Sequence, residues 1–227
     1  MSSLFCTIGI LAALNIRERT GRGQLVDVSL VDSVYAALEN IPQKFFVEGE
    51  IPGRIGNRYE FIYPYNTFKA MDGWVVLGIA NEAIWGRFLE AANLEYLRDD
   101  ERFSSNKTRV ENHATLRPLI EGWTGGLRKD EIVTLLNMNR VPSCPIYDVR
   151  EASEDPHISV AREMVVEVEQ PGLGKVRLQG NPVKMSETEP RPKGPAPELG
   201  GDTEDVLREL LGYDEETVEG LRARGVI

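Results

Sequence analysis

Two cysteines and two histidines in 227 residues leave little of the chemistry those side chains usually carry. Cys6 and Cys144 stand far apart, one in an apolar opening segment and one in "VPSCPI". That is no disulfide framework, and it suits a reducing cytoplasm. A catalytic thiol needs a base beside it, and His113 and His157 are the whole supply, so Cys144 is read as a small buried or loop residue. HExxH, paired CxxC and calcium-type acidic loops are all missing, and no metal is expected. A formal net charge of -10 lacks the positive footprint that nucleic acid or an anionic membrane requires. No stretch approaches the ~18 uninterrupted apolar residues of a membrane span, so the chain is read as soluble and cytoplasmic, with no membrane partner.

The opening "MSSLFCTIGILAALNIRERTGRGQLVDVSL" has no Lys or Arg before its apolar run, unlike a secretory signal. Leu4, Ile8, Leu11 and Leu14 recur at helical spacing and lead into Asn15, Arg17, Glu18 and Arg19, which predicts an amphipathic helix. Gly21 and Gly23 end it. "TGRGQ" precedes a predicted strand where a phosphate-binding loop would follow one, so its Gly-x-Gly is a turn. "QLVDVSL" alternates, with Val26, Val28 and Leu30 on one face, and predicts that strand. Ser29 and Asp32 then form a capping pattern for a helix through Val34, Tyr35 and Leu38. Left in water, the four apolar residues of the first helix would cost about 1.5–3 kcal/mol each. Together that is roughly 6–12 kcal/mol, comparable to the ~5–15 kcal/mol stability of a whole domain. The stripe is expected to be covered by a separately encoded N-terminal chain, a second copy, or rearranged local packing.

From Pro42 to Pro64 turn formers dominate and a crossing linker is expected. "DGWVVLGI" then predicts a strand, and Asn81 caps a helix bearing Ile84, Trp85, Phe88 and Leu89. Leu116, Leu119, Ile120 and Trp123 mark another helix, and Ile132, Leu135 and Leu136 a third. His113 is expected as a surface or capping histidine. "MVVEVEQPGLGKVRLQG" reads as a hairpin, "EPRPKGPAPELG" as an extended surface segment, and Val206 to Leu211, then Val218 and Leu221, as two closing helices. The fold class is α/β: a partial large α/β domain, made of an N-terminal helix-strand-helix plus a returning C-terminal segment, with an inserted small α+β domain. The divisions are 1–41 for the large-domain remnant, 42–64 for the linker and 65–153 for the small domain. Residues 154–227 supply the hairpin, the return and helices that pack on the large domain. Asp72, Glu82, Asp99 and Asp155 lie in no pattern that would raise their pKa or make them nucleophiles, so no catalytic residue is assigned.

Taken in order, "GILAALNIRERTGRGQLVDVSLVDS", "GRIGNRYEFIYPYNTFKAMDGWVVLGIANE", "DDERFSSNKTRVEN", "VPSCPIYDVREASEDPH" and "PELGGDTEDVLRELLGYDEETVEGLRARGVI" resemble the family III CoA-transferases. The resemblance implies a large Rossmann-type domain joined to a small domain by long linkers, and dimers whose chains interlock. It also implies a coenzyme A thioester as substrate, with no permanently bound cofactor. In such enzymes an aspartate attacks the acyl-CoA and a mixed anhydride follows. That aspartate lies in a preceding nucleotide-type part, which no residue here matches, so the chain is expected to need an N-terminal half. The expected partners are a second copy of the chain or an N-terminal CoA-transferase chain.

Arg54 to Asn57 is similar to the Arg-x-Gly-Asn stretch that precedes a glycine-rich active-site loop in some members. Here Arg58, Tyr59, Glu60 and Phe61 follow with no glycine run, which disfavours an oxalate-specific formyl-CoA enzyme. Gly56, Asn57, Arg58 and Tyr59 are the candidate substrate-flanking loop. The same fold hosts α-methylacyl-CoA racemases, which place a glutamate before Pro-Gln where this chain reads Asn81, Glu82, Ala83. Transfer is therefore favoured over racemisation, with a racemase-like fragment and a non-catalytic dimerisation module as alternatives.

Overall fold

The computed structural model describes residues 1–188 and 194–227, so the expected extended return falls partly on 189–193, outside the described residues. Two compact units are present. The first comprises Met1–Phe68, Leu77–Trp123 and Leu136–Pro142; the second comprises Lys69–Val76, Thr124–Leu135 and Ser143–Ile227.

In the first unit, helix α1 (Ser2–Thr20) stops at Gly21, whose left-handed φ of 70° lets its N–H reach the Arg17 carbonyl. None of its residues is buried: Leu4, Ile8 and Leu11 are 68%, 62% and 61% exposed. The chain then returns along α1, and a Cβ at Gly9 would meet Val26 Cγ1 at 2.8 Å. Val26 and Val28 are accordingly half-buried while Leu25 and Asp27 are exposed. The predicted alternation is present, but the predicted strand is not: residues 22–29 carry no regular secondary structure and no ladder partner among the described residues. An isolated extended segment has nowhere to place its backbone hydrogen bonds and does not become a strand. Ser29 caps α2 (Leu30–Ala36) as expected, its Oγ accepting from the Asp32 N–H at 3.3 Å.

A second departure is α3 (Ile41–Glu48), which occupies the start of the expected linker. Pro42 stands in its first turn, where a missing N–H costs nothing, and Gly49 ends it at φ 74°. Beyond the loop 49–64, strands β1 (Tyr65–Ala70) and β2 (Gly73–Gly78) form a sheet of order β1-β2-β3 with β3 (Ser143–Pro145).

Helix α4 (Glu82–Ala92) starts at Asn81, whose Oδ1 accepts the Ile84 N–H at 2.9 Å. It buries Trp85, Phe88, Leu89 and Ala92. Phe88 stacks on Trp85 with centroids 5.5 Å apart and meets the edge of Trp123 at 5.7 Å. Helix α5 (Asn106–Glu111) carries a Ser105/Thr108 capping box, and α6 (His113–Thr124) buries Leu116 and Ile120. Helix α7 (Lys129–Met138), whose residues up to Leu135 belong to the second unit, buries Ile132 and Leu136.

In the second unit, α8 (Val149–Glu154) is held by an Asp148/Glu151 capping box. Strands β4 (Val165–Gln170) and β5 (Gly174–Gln179) form the expected hairpin, pairing antiparallel from Val165–Gln179 to Gln170–Gly174. Helices α9 (Thr203–Glu209) and α10 (Glu215–Ala223) follow, with Val218 buried and Gly212 turning between them at φ 68°. No helix among the described residues is long and apolar enough to cross a membrane.

Phe88→Ala removes the centre of the aromatic cluster and is expected to lower stability by about 3–5 kcal/mol. Tyr96→Ala, at a side chain 64% exposed, should stay within about 0.5 kcal/mol. Chemical denaturation of both variants checks the contrast.

Candidate functional site

Four residues were expected to flank the substrate, and all lie in the loop between α3 and β1. Gly56 adopts φ 72°, a left-handed turn that favours glycine, and open space surrounds it. Gly56 and Asn57 are exposed; Arg58 and Tyr59 are half-buried. Asn57 Nδ2 donates to Thr67 Oγ1 at 3.5 Å, and the Tyr59 N–H donates to the Tyr65 carbonyl at 2.9 Å. Arg58 Nη1 turns inward to the carbonyls of Tyr59 and Glu60, at 3.4 and 3.2 Å. The Tyr59 ring lies between Tyr65 and Phe61, with centroids 5.4 and 6.1 Å away, and its hydroxyl donates to Glu39 Oε1 at 3.3 Å. Lys44 of α3 closes the base of the loop by donating to Glu60 Oε1 at 2.5 Å. The bond to Glu60 raises the Lys44 pKa.

Behind this loop lies a polar cluster that sequence reasoning missed. Arg109 of α5 is fully buried, and its guanidinium lies over the Trp85 ring, 4.9 Å from the centroid. It donates through Nε to the Tyr63 carbonyl at 2.9 Å and through Nη1 to the Phe103 carbonyl at 3.1 Å. Nη1 and Nη2 also grip Glu82 Oε2 and Oε1 at 2.7 and 3.1 Å. This fork-to-carboxylate pairing holds the Glu82 carboxyl below the usual range, through the Arg109 hydrogen bonds first and the Asn106 N–H besides. Glu82 is thus a fixed anion and a poor general base. The sequence signal was faint: the Ser105/Thr108 cap marks a helix start, but nothing local says that an arginine three residues on is buried.

His113 begins α6, its Nδ1 2.9 Å from the Val110 carbonyl and its ring edge-on to Tyr63, which fits the capping role expected of it. Cys144 is exposed rather than buried. In the second unit a cavity of about 390 Å³ is lined by Asp72, Arg128, Lys129, Tyr147 and Glu151 among others. Its charges are mutually engaged. Lys129 Nζ donates to Glu151 Oε1 at 2.6 Å, and the Lys129 N–H donates to Asp72 Oδ1 at 2.8 Å. These bonds hold the Glu151 and Asp72 carboxyls below the ordinary range, so the cluster reads as a tie between α7, α8 and the β1-β2 turn.

The elements and their order define an α/β fold of the CaiB/BaiF kind. A CaiB/BaiF family protein from Brucella suis is similar over 92% of this chain and 54% of its own, with a TM-score of 0.73 and 30% identity. The chain belongs to CoA-transferase family III, whose sequence pattern matches residues 1–203. It is 36% identical over 203 residues to succinyl-CoA:mesaconate CoA-transferase from Haloarcula hispanica, covering 89% of this chain and 50% of that protein. It is 32% identical over 228 residues to the alpha subunit of succinyl-CoA–L-malate CoA-transferase from Chloroflexus aurantiacus, covering 100% of this chain and 53% of that protein. The chain therefore spans about half the length of the curated relatives it matches.

Because the Glu82 pKa is depressed in the folded state, its contribution to stability is complete above the ordinary glutamate value of 4.5. It is lost as pH falls below that value and through the depressed pKa. Denaturant titrations of wild type and Glu82→Gln should therefore show a smaller stability gap at pH 3 than at pH 7.

Proposed function

We propose that this chain forms the C-terminal portion of an acyl-CoA:carboxylate CoA-transferase and works together with an N-terminal half bearing the nucleophilic carboxylate. The observation that carries this reading is the family match over residues 1–203 combined with coverage of about half of each relative. The uncovered apolar face of α1 supports it, since Leu4, Ile8 and Leu11 are a surface of the kind that is normally packed. That half is either joined to this chain, as in relatives about twice as long, or supplied as a second polypeptide. Coenzyme A thioesters are the substrate class, with succinyl-CoA as donor and a dicarboxylate as acceptor by likeness to the relatives. Assembly as a dimer and a cytoplasmic location belong to the same reading.

The loop Gly56–Tyr59 flanks the acyl group. Its exposed Asn57 amide offers hydrogen bonds to a substrate carboxylate, and Arg58 supplies positive charge close by. Glu82 also favours transfer over racemisation. A proton shuttle at the α-carbon needs a base poised near neutrality, whereas Glu82 is gripped by Arg109 and held strongly ionised.

Co-expression of the chain with the N-terminal half of a relative, followed by a CoA-exchange assay from succinyl-CoA to mesaconate or malate, is expected to restore transfer. A stable complex with no transfer to any dicarboxylate sinks the proposal. Deuterium uptake at the α-carbon of a 2-methylacyl-CoA without an acceptor acid would replace it with racemisation.

A further inference from the structure

The loop Gly56–Tyr59 has few backbone bonds of its own, yet the chain that follows it is held at three successive points by one face of α5. Asn106 Nδ2 donates to the Phe61 carbonyl at 2.8 Å, and Asn106 Oδ1 accepts the Tyr63 N–H at 3.1 Å. Arg109 Nε donates to the Tyr63 carbonyl at 2.9 Å. Asn106 and Arg109 are three residues apart on a helix and so lie on the same face. Their side chains bond the backbone just beyond the loop, at Phe61 and Tyr63, as a neighbouring strand would.

The two groups are themselves aligned by a third. Glu82, the first residue of α4, accepts the Asn106 N–H at 2.8 Å on Oε1 and both guanidinium arms of Arg109. One carboxylate therefore fixes the backbone of the first clamp residue and the side chain of the second. The amide of Asn106 admits one orientation only: turning it over would set Oδ1 against the Phe61 carbonyl and the NH₂ against the Tyr63 N–H.

We infer that Asn106, aligned by Glu82 and Arg109, is a positioning residue that sets the conformation of the loop Gly56–Tyr59. The importance of that loop for catalysis rests on the proposed function above; the clamp on the backbone that follows it does not. Breaking the two Asn106 bonds releases the Phe61 carbonyl and the Tyr63 N–H, next to the loop, while Arg109 still holds the Tyr63 carbonyl and the aromatic core of α4 and α6 stays intact.

Hydrogen exchange on the full chain tests the clamp without any activity. Asn106→Ala is expected to speed amide exchange of residues 58–63 by about tenfold or more, with α4 and α6 unchanged. Asn112→Ala, at the far end of the same helix, should leave the loop as it was. Glu82→Gln acts through the alignment and is expected to give a smaller rise in the loop, which keeps the idea testable should Asn106→Ala fail to fold. Unchanged loop exchange in a folded Asn106→Ala chain, or a rise shared equally by α4 and α6, overturns the inference. In the reconstituted enzyme the same variant should lower kcat by roughly 10–100-fold with donor KM little altered. A loosened loop with an unchanged rate sustains the clamp and refutes the loop's place at the substrate.

Discussion

A fully buried guanidinium is the constraint around which the first unit is arranged. An arginine that cannot shed its charge must find partners for its N–H groups wherever the fold withdraws it from water, because an unpaired buried charge costs more than any single hydrophobic contact returns. Arg109 finds them in the carbonyls of Tyr63 and Phe103, the carboxylate of Glu82 and the ring face of Trp85. Those partners come from three separate stretches of chain. Bringing them to one point fixes the start of α4, the entry to α5 and the path of the chain into β1.

The same requirement accounts for the fixed place and the ionised state of the Glu82 carboxylate. Its position at the first turn of α4 already favours negative charge through the helix dipole, and the Asn81 cap places it there. Arg109 then binds both oxygens. Lys129 plays a comparable part in the second unit, where a nearly buried ammonium ties Glu151 and the Ile146 carbonyl together. In each case the ion pair serves as an anchor for neighbouring backbone more than as a source of net stability. The exposed apolar residues of α1 are the opposite situation: Leu4, Ile8 and Leu11 are largely exposed among the described residues.

Elements whose stability is local were legible from residue order. The Asn81 cap, the α4 stripe, the hairpin around Pro171–Gly174 and the Gly21 stop all depend on neighbours within a few positions, and all appear as expected. The strand through Val26 and Val28 did not form, since alternation specifies two faces while a strand also needs a ladder partner. Helix α3 was hidden because proline and turn formers around it suggest irregular chain, yet Pro42 is harmless in a first turn. The loop at Gly56 was found only through the likeness of "RIGN" to its family, and its clamp was not found at all.

Taken alone, the residue order determined the α/β class, several helix ends, the hairpin of β4 and β5 and membership of the CoA-transferase lineage, because capping, periodicity and distinctive segments are encoded over short spans. Tertiary structure decided which charges were buried and with whom they paired. Asn106, Arg109, Glu82 and Tyr63 lie up to 46 positions apart, and only folding makes them neighbours. Desolvation of a charge is a property of the place it occupies and not of the residues beside it in the chain, so no local pattern announces it.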